Sequence, residues 1–237
     1  MTPSIVVSEI FGPTFQGEGP HLGQRVGFVR TGGCNLHCAW CDTPYTWDAT
    51  RYDLRAELTR TPADKIVDAV LAMDVDRVVV TGGEPMLWQA RDGWHQMLGD
   101  FHAAGIAVDV ETNGTIAPDP WTLRLVDLFC VSPKLAHAGD PERLRIVPDV
   151  LRTFGDAAQS DRAALKVVVS TPADVTATTE LAERYGFPKP AVWVMPEGTT
   201  SVDVLDGHRL IAQAALDHGV NMTTRLHVLT WEAERAR

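Results

Sequence analysis

Three cysteines, Cys34, Cys38 and Cys41, stand close together in the segment GGCNLHCAWCDT, directly after an apolar run. Thiolates gathered at that spacing bind soft metals, and zinc and iron–sulfur centres both suit the ligand type. A structural zinc ion takes four ligands in a closed tetrahedron. Here the fourth would have to be His37, His21 or the remote Cys130. A 4Fe-4S cluster on three cysteines instead leaves one iron open to a chelating small molecule. The cysteines alone leave zinc, a redox role and an iron–sulfur cluster all open. Four cysteines, three of them bunched, are too few for a disulfide framework. Cys130, in the apolar run LFCVS, reads as a small buried hydrophobe without chemistry.

Groups of this kind need a rigid frame, and the rest of the chain supplies one. Short runs rich in Val, Ile, Leu and Phe occur at 25–30, 77–83, 106–112, 128–134, 165–170 and 191–196. They are nearly continuous in apolar residues, as strands covered on both faces must be. Between them, ADKIVDAVLAM, DGWHQMLGDFHAAG, DVTATTELAERYG and VDVLDGHRLIAQAALDHG carry apolar residues at helical spacing. The alternation predicts an α/β fold: a parallel sheet with crossover helices, curved into a partial TIM-like barrel of about six strands. Polar and glycine-rich clusters follow the strands repeatedly: GGC, GGEP, ETNG, SPK and PEG. They should converge on the rim where α/β folds place their sites. Residues 44–60 read as irregular.

A chain of 237 residues suits one domain, here 1–237, with the cysteine loop at 32–43. With 21 basic and 31 acidic residues, a net charge of −10, the surface is not built to wrap nucleic acid, and a small-molecule substrate fits better. No apolar run approaches membrane-spanning length and the start MTPSIVVSEIF lacks a leader pattern, so a cytoplasmic protein without membrane contact is expected.

CxxxCxxC with Trp40 just before its last cysteine, followed by GGEP after the second predicted strand, resembles the signature of the radical S-adenosylmethionine superfamily. The resemblance implies a 4Fe-4S cluster on Cys34, Cys38 and Cys41. Its open iron would chelate S-adenosylmethionine, whose reductive cleavage gives a 5′-deoxyadenosyl radical. Gly82 and Gly83 would let the backbone approach the cofactor closely, and Glu84 would support its methionyl amine. Trp40, Glu111 in ETNG and Ser132 in SPK match further cofactor contacts of the superfamily.

Within the superfamily, FQGEG, FVRTGGCNLHCAWCDT, VTGGEP, ETNG, VSPK, a KVVV strand and RLH together resemble the 7-carboxy-7-deazaguanine synthase family across nearly the whole chain. That resemblance implies a radical ring contraction of 6-carboxy-5,6,7,8-tetrahydropterin with loss of ammonia, on the route to queuosine and related 7-deazapurines. It implies an electron donor such as flavodoxin or ferredoxin, and a homodimer. Gln16 and Glu18 suit the amino and ring N–H edge of a pterin, and Arg30 offers a planar fork to its carboxylate. Thr81 and His227, the latter read on a terminal strand, match substrate-facing positions. The Thr43 hydroxyl matches a ligand to Mg²⁺, where the competing reading of Asp42–Thr43 is an Asx-type turn. TWEAERAR continues beyond RLH, so no terminal carboxylate role carries over. Two other classes compete: an activase that installs a glycyl radical on a large protein, and a non-catalytic zinc-stabilised binding module.

Overall fold

In the computed structural model, residues 2–232 and 234–237 are described. The apolar runs form strands as their composition requires. All seven residues of the run AALKVVV are buried, for example, Lys166 included. The strands are β1 (Ser4–Phe15), β2 (Arg25–Thr31), β3 (Thr59–Pro62), β4 (Arg77–Gly82), β5 (Ala107–Thr112), β6 (Leu128–Val131), β7 (Ala163–Val169), β8 (Val192–Pro196) and β9 (Asn221–Met222). They make one sheet in the order β3-β1-β2-β4-β5-β6-β7-β8-β9. From β2 to β9 every neighbouring pair is parallel. Only β1 runs against its neighbours β2 and β3. The order does not close on itself, so the chain builds the partial TIM-like barrel that the βα alternation predicts.

Among the described residues nine α-helices accompany the sheet: α1 (Leu54–Glu57), α2 (Ala63–Leu71), α3 (Asp92–Ala103), α4 (Pro120–Leu125), α5 (Glu142–Arg145), α6 (Pro148–Ala158), α7 (Pro172–Tyr185), α8 (Ser201–His218) and α9 (Leu226–Trp231). The four predicted helices are α2, α3, α7 and α8. Trp94 and Phe101 of α3 are fully buried, as are Phe129 of β6 and Phe154 of α6, so the main core lies between sheet and helices. None of the helices described is long and apolar enough to cross a membrane.

The structure corrects the sequence reading in several places. β1 was not predicted, because it buries only alternate residues such as Ile5 and Val7 and its pairing with β2 shifts register twice. The stretch read as irregular contains α1 and the start of β3. α4 and α6 lie in segments to which no helix was assigned, although each opens with Pro at its first turn and α6 buries Leu151, Phe154, Gly155 and Ala158 on one stripe. His227 sits on α9, not on a terminal strand.

Candidate active site

A cavity of about 890 Å³ opens at the carboxy ends of the parallel strands. All but one of the site residues expected from the sequence line it, from Gln16 in the β1–β2 loop to His227 on α9. The exception is Glu84.

The cysteine loop follows β2, and Cys34, Cys38 and Cys41 all face the cavity, each part-buried. Burial pushes the Cys34 thiol up to about 12 and raises Cys38 as well. Thiols kept protonated by burial become thiolates when a metal centre supplies the opposing charge. The Leu36 N–H donates to Cys34 Sγ at 3.5 Å and the Trp47 indole N–H to Cys41 Sγ at 3.4 Å, bonds of the kind that tune cluster sulfurs. The possible fourth zinc ligands are occupied elsewhere. His21 Nδ1 lies 2.5 Å from Asp109, His37 is two-thirds exposed with its ring edge on Trp47, and Cys130 is buried within β6. Among the described residues no three His, Cys, Asp or Glu side chains form a cage for a single ion. Three part-buried cysteines on one cavity, two of them with Sγ accepting an N–H, are the donors a three-cysteine cluster would take. Thr43 also lines the cavity, its hydroxyl 3.8 Å from Cys41 Sγ and capping no backbone group. Asp42 turns away to pair with Arg225, so the two residues do not make an Asx turn.

GGEP is fastened to the base of this loop. The Gly83 N–H donates to Thr31 O at 3.1 Å and the Glu84 N–H to Gly33 O at 2.8 Å. A Cβ on Gly82 would collide with the Thr31 backbone, and one on Gly83 with the Gly33 carbonyl. These glycines thus admit the neighbouring loop. Glu84 is fully buried, and its carboxylate accepts from the N–H of Met86 (3.0 Å), the Thr112 hydroxyl (2.8 Å) and the N–H of Asn113 (2.6 Å). The carboxylate ties GGEP to ETNG and does not itself line the cavity. Burial raises its pKa, opposed by those three donors. Ser132 Oγ accepts from Lys134 Nζ at 3.0 Å, and Lys134 lies 5.3 Å from the centre of the Trp40 ring.

The remaining polar residues of the cavity form one network. Glu111 accepts from Gln16 (3.4 Å), Thr81 (2.8 Å) and Lys166 (3.2 Å), so it faces residues matched to substrate, although the resemblance placed it on the cofactor. Lys166 also pairs with Glu18, which Arg225 holds from the other side at 3.1 Å. Burial alone would raise the Glu18 carboxyl, but these two cations outweigh it and hold it well below the usual carboxylate range. Arg225 extends further, to Asp42 and to the Gly198 carbonyl. Neither Lys166 nor Arg225 was singled out in the sequence. The available signals were a lysine inside the apolar KVVV strand and the arginine of RLH, both of which burial forces to find partners. Arg30 donates its Nε to Glu9 at 2.9 Å and lies over the Phe11 ring, leaving its terminal nitrogens without a partner among the described residues. His227 packs so closely on Gly17 that a Cβ there would meet its ring, and burial lowers its pKa.

A three-cysteine loop after the first parallel strand, stitched to a GGEP loop at the mouth of a partial barrel, defines the class. The model of the radical SAM superfamily matches residues 28–199, and the chain belongs to that superfamily. Fold similarity extends to the crystal structure of QueE from Escherichia coli, with a TM-score of 0.67 at 23% identity over 93% of both chains. It extends also to Streptococcus suis SuiB bound to S-adenosylmethionine, with a TM-score of 0.52 at 13% identity over 81% of this chain and 44% of that one.

Among curated relatives, the 7-carboxy-7-deazaguanine synthase of Pyrobaculum aerophilum is 37% identical over 100% of this chain and 99% of its own. That of Halobacterium salinarum is 34% identical over 97% and 91%, and that of Bacillus subtilis 29% identical over 99% of each. The chain is a member of the 7-carboxy-7-deazaguanine synthase family.

Proposed function

We propose that this chain converts 6-carboxy-5,6,7,8-tetrahydropterin into 7-carboxy-7-deazaguanine with loss of ammonia. The observation that carries the reading is a single cavity lined both by the three part-buried cysteines and by Gln16, Glu18, Arg30 and Thr81. When bound, a cluster on Cys34, Cys38 and Cys41 together with S-adenosylmethionine supplies a carbon radical able to abstract hydrogen from substrate. Gly82, Gly83, Trp40 and Ser132 would border that cofactor. Glu84 would act from behind, holding the GGEP and ETNG loops in register.

Arg30 would offer its terminal nitrogens, unpartnered among the described residues, to the substrate carboxylate, and Gln16, Thr81 and Glu111 would meet the pterin's polar edge as an already ordered hydrogen-bonding set. Glu18 reaches the substrate as a carboxylate oriented by Lys166 and Arg225. His227, held neutral by burial, can accept or donate a hydrogen bond without adding charge. Thr43 would offer its hydroxyl, which caps no backbone group and lines the cavity, as a ligand to Mg²⁺, which would supply positive charge for the substrate's oxygens. The test is anaerobic incubation of cluster-loaded protein with S-adenosylmethionine, reductant, Mg²⁺ and 6-carboxytetrahydropterin, with products followed by mass. Formation of 7-carboxy-7-deazaguanine is expected. Cleavage of S-adenosylmethionine without any change in the pterin would refute the substrate assignment.

A further inference from the structure

Arg235 and Arg237 were left without a role by the family resemblance, yet Arg237 lines the cavity and Arg235 shares a carboxylate with the cavity residue Arg30. Arg235 donates its Nε to Glu9 Oε1 at 2.9 Å and a terminal nitrogen to Glu57 at 2.9 Å, and its guanidinium lies 3.7 Å from the centre of the Tyr45 ring. Glu9 Oε2 accepts from Arg30 Nε at 2.9 Å and from the Tyr45 hydroxyl at 3.1 Å. One carboxylate, only 14% exposed, therefore serves two guanidinium groups. Without Arg235, the full charge of Glu9 would fall on Arg30, which faces the cavity. Arg237 lines the same cavity, held through Nε by Glu234 at 2.8 Å with its terminal nitrogens unpartnered among the described residues.

We infer that residues 234–237 form a second arginine clamp on the carboxylate end of the substrate. Arg235 is a positioning residue that sets the charge and orientation of Arg30 through Glu9, and Arg237 presents a further guanidinium to the same anion. The inference rests on the carboxylate-bearing substrate proposed above. It also makes the arm a determinant of specificity, because a pterin lacking the carboxylate has nothing for the clamp to hold.

The test is equilibrium binding of two unreactive, fluorescent ligands, 6-carboxypterin and pterin, to cluster-loaded protein at low ionic strength. The unmodified protein should prefer 6-carboxypterin. Arg235→Ala and Arg237→Ala should each weaken 6-carboxypterin roughly two- to fivefold, as expected for part-exposed ion pairs, and leave pterin unchanged. Raising the salt should erase the difference. Arg235→Lys should restore much of the preference, and in an Arg30→Ala background Arg235→Ala should cause no further loss. Equal weakening of both ligands, or no weakening of either, would overturn the clamp while leaving the function intact. An unmodified protein that does not distinguish the two ligands would overturn the substrate reading and the clamp with it.

Discussion

Arg225→Ala should be the most damaging single change outside the cysteines. The side chain is buried and joins three segments: Glu18 in the β1–β2 loop, Asp42 beside the last cysteine, and the Gly198 carbonyl after β8. Its removal leaves Glu18, 13% exposed, with Lys166 alone, and takes the Arg225 donor from Gly198 O. The Asp42 link adds little, because that side chain is 43% exposed and can be rehydrated. Breaking one partner of a buried ion pair costs about 3–5 kcal/mol. For a chain of this size that corresponds to a fall in melting temperature of roughly 6–20 °C. Arg225→Lys should recover only part of the loss, since an ammonium cannot span three acceptors arranged for a planar fork. The assay is thermal unfolding of the anaerobically purified protein by circular dichroism, paired with iron content after reconstitution. A melting temperature within about 2 °C of the unmodified protein, a shift of at most ~1 kcal/mol, would refute the network's structural role.

Alanine at Cys34, Cys38 or Cys41 should abolish iron retention and S-adenosylmethionine cleavage, whereas Cys130→Ala should keep both; iron and sulfide analysis decides it. Thr43→Ala should load its cluster normally yet lose much of the response of turnover to Mg²⁺, and an unchanged magnesium titration would return Thr43 to an ordinary loop residue. Arg30→Ala should lower product formation roughly ten- to hundredfold, from the loss of about 1.5–3 kcal/mol in charge-assisted hydrogen bonding. Uncoupled 5′-deoxyadenosine formation should persist in that variant. The folded pKa of His227 is depressed by burial, so below the ordinary histidine value the unfolded chain binds a proton that the folded chain refuses. Stability should therefore fall as pH drops from 7 to 5, less steeply in His227→Gln, and identical melting-temperature profiles would contradict the assignment.

The architecture was legible wherever burial on both faces made strands nearly uniform. β4, β7 and β8 announce themselves as VVV, KVVV and VWV, and the order of polar clusters after them already placed the site on one rim. β1 was hidden because it buries only Ile5, Val7 and Phe11 and its pairing is interrupted. Within the site, residue identity was easier to read than direction. Glu84 appears in a motif that suggests ligand contact, but whether its carboxylate points at the cavity or behind it depends on three donors, two of them from β5 and the loop after it. Glu18 was legible as a carboxylate but not as one already paired, since Lys166 and Arg225 lie 148 and 207 residues away in sequence. Distant ion pairs of this kind leave no local pattern to find.

The cysteine loop also bears on the order of assembly. Its backbone is fixed by Gly33 N–H to Thr46 O (2.8 Å), Glu84 N–H to Gly33 O (2.8 Å) and Ala39 N–H to Ala138 O (2.9 Å), and Asn35 accepts from Asn113 at 2.9 Å. Several of those partners become available only after β4, β5 and β6 have paired, and such long-range closures come late because their loop entropy must be met first. The three thiols thus gain their arrangement from a sheet that is already folded. A metal centre would then be a late guest on a finished frame, unlike a zinc finger, in which the ion organises an unfolded chain. Apoprotein should accordingly fold and be stored without iron, and cluster delivery becomes a separate, post-folding event.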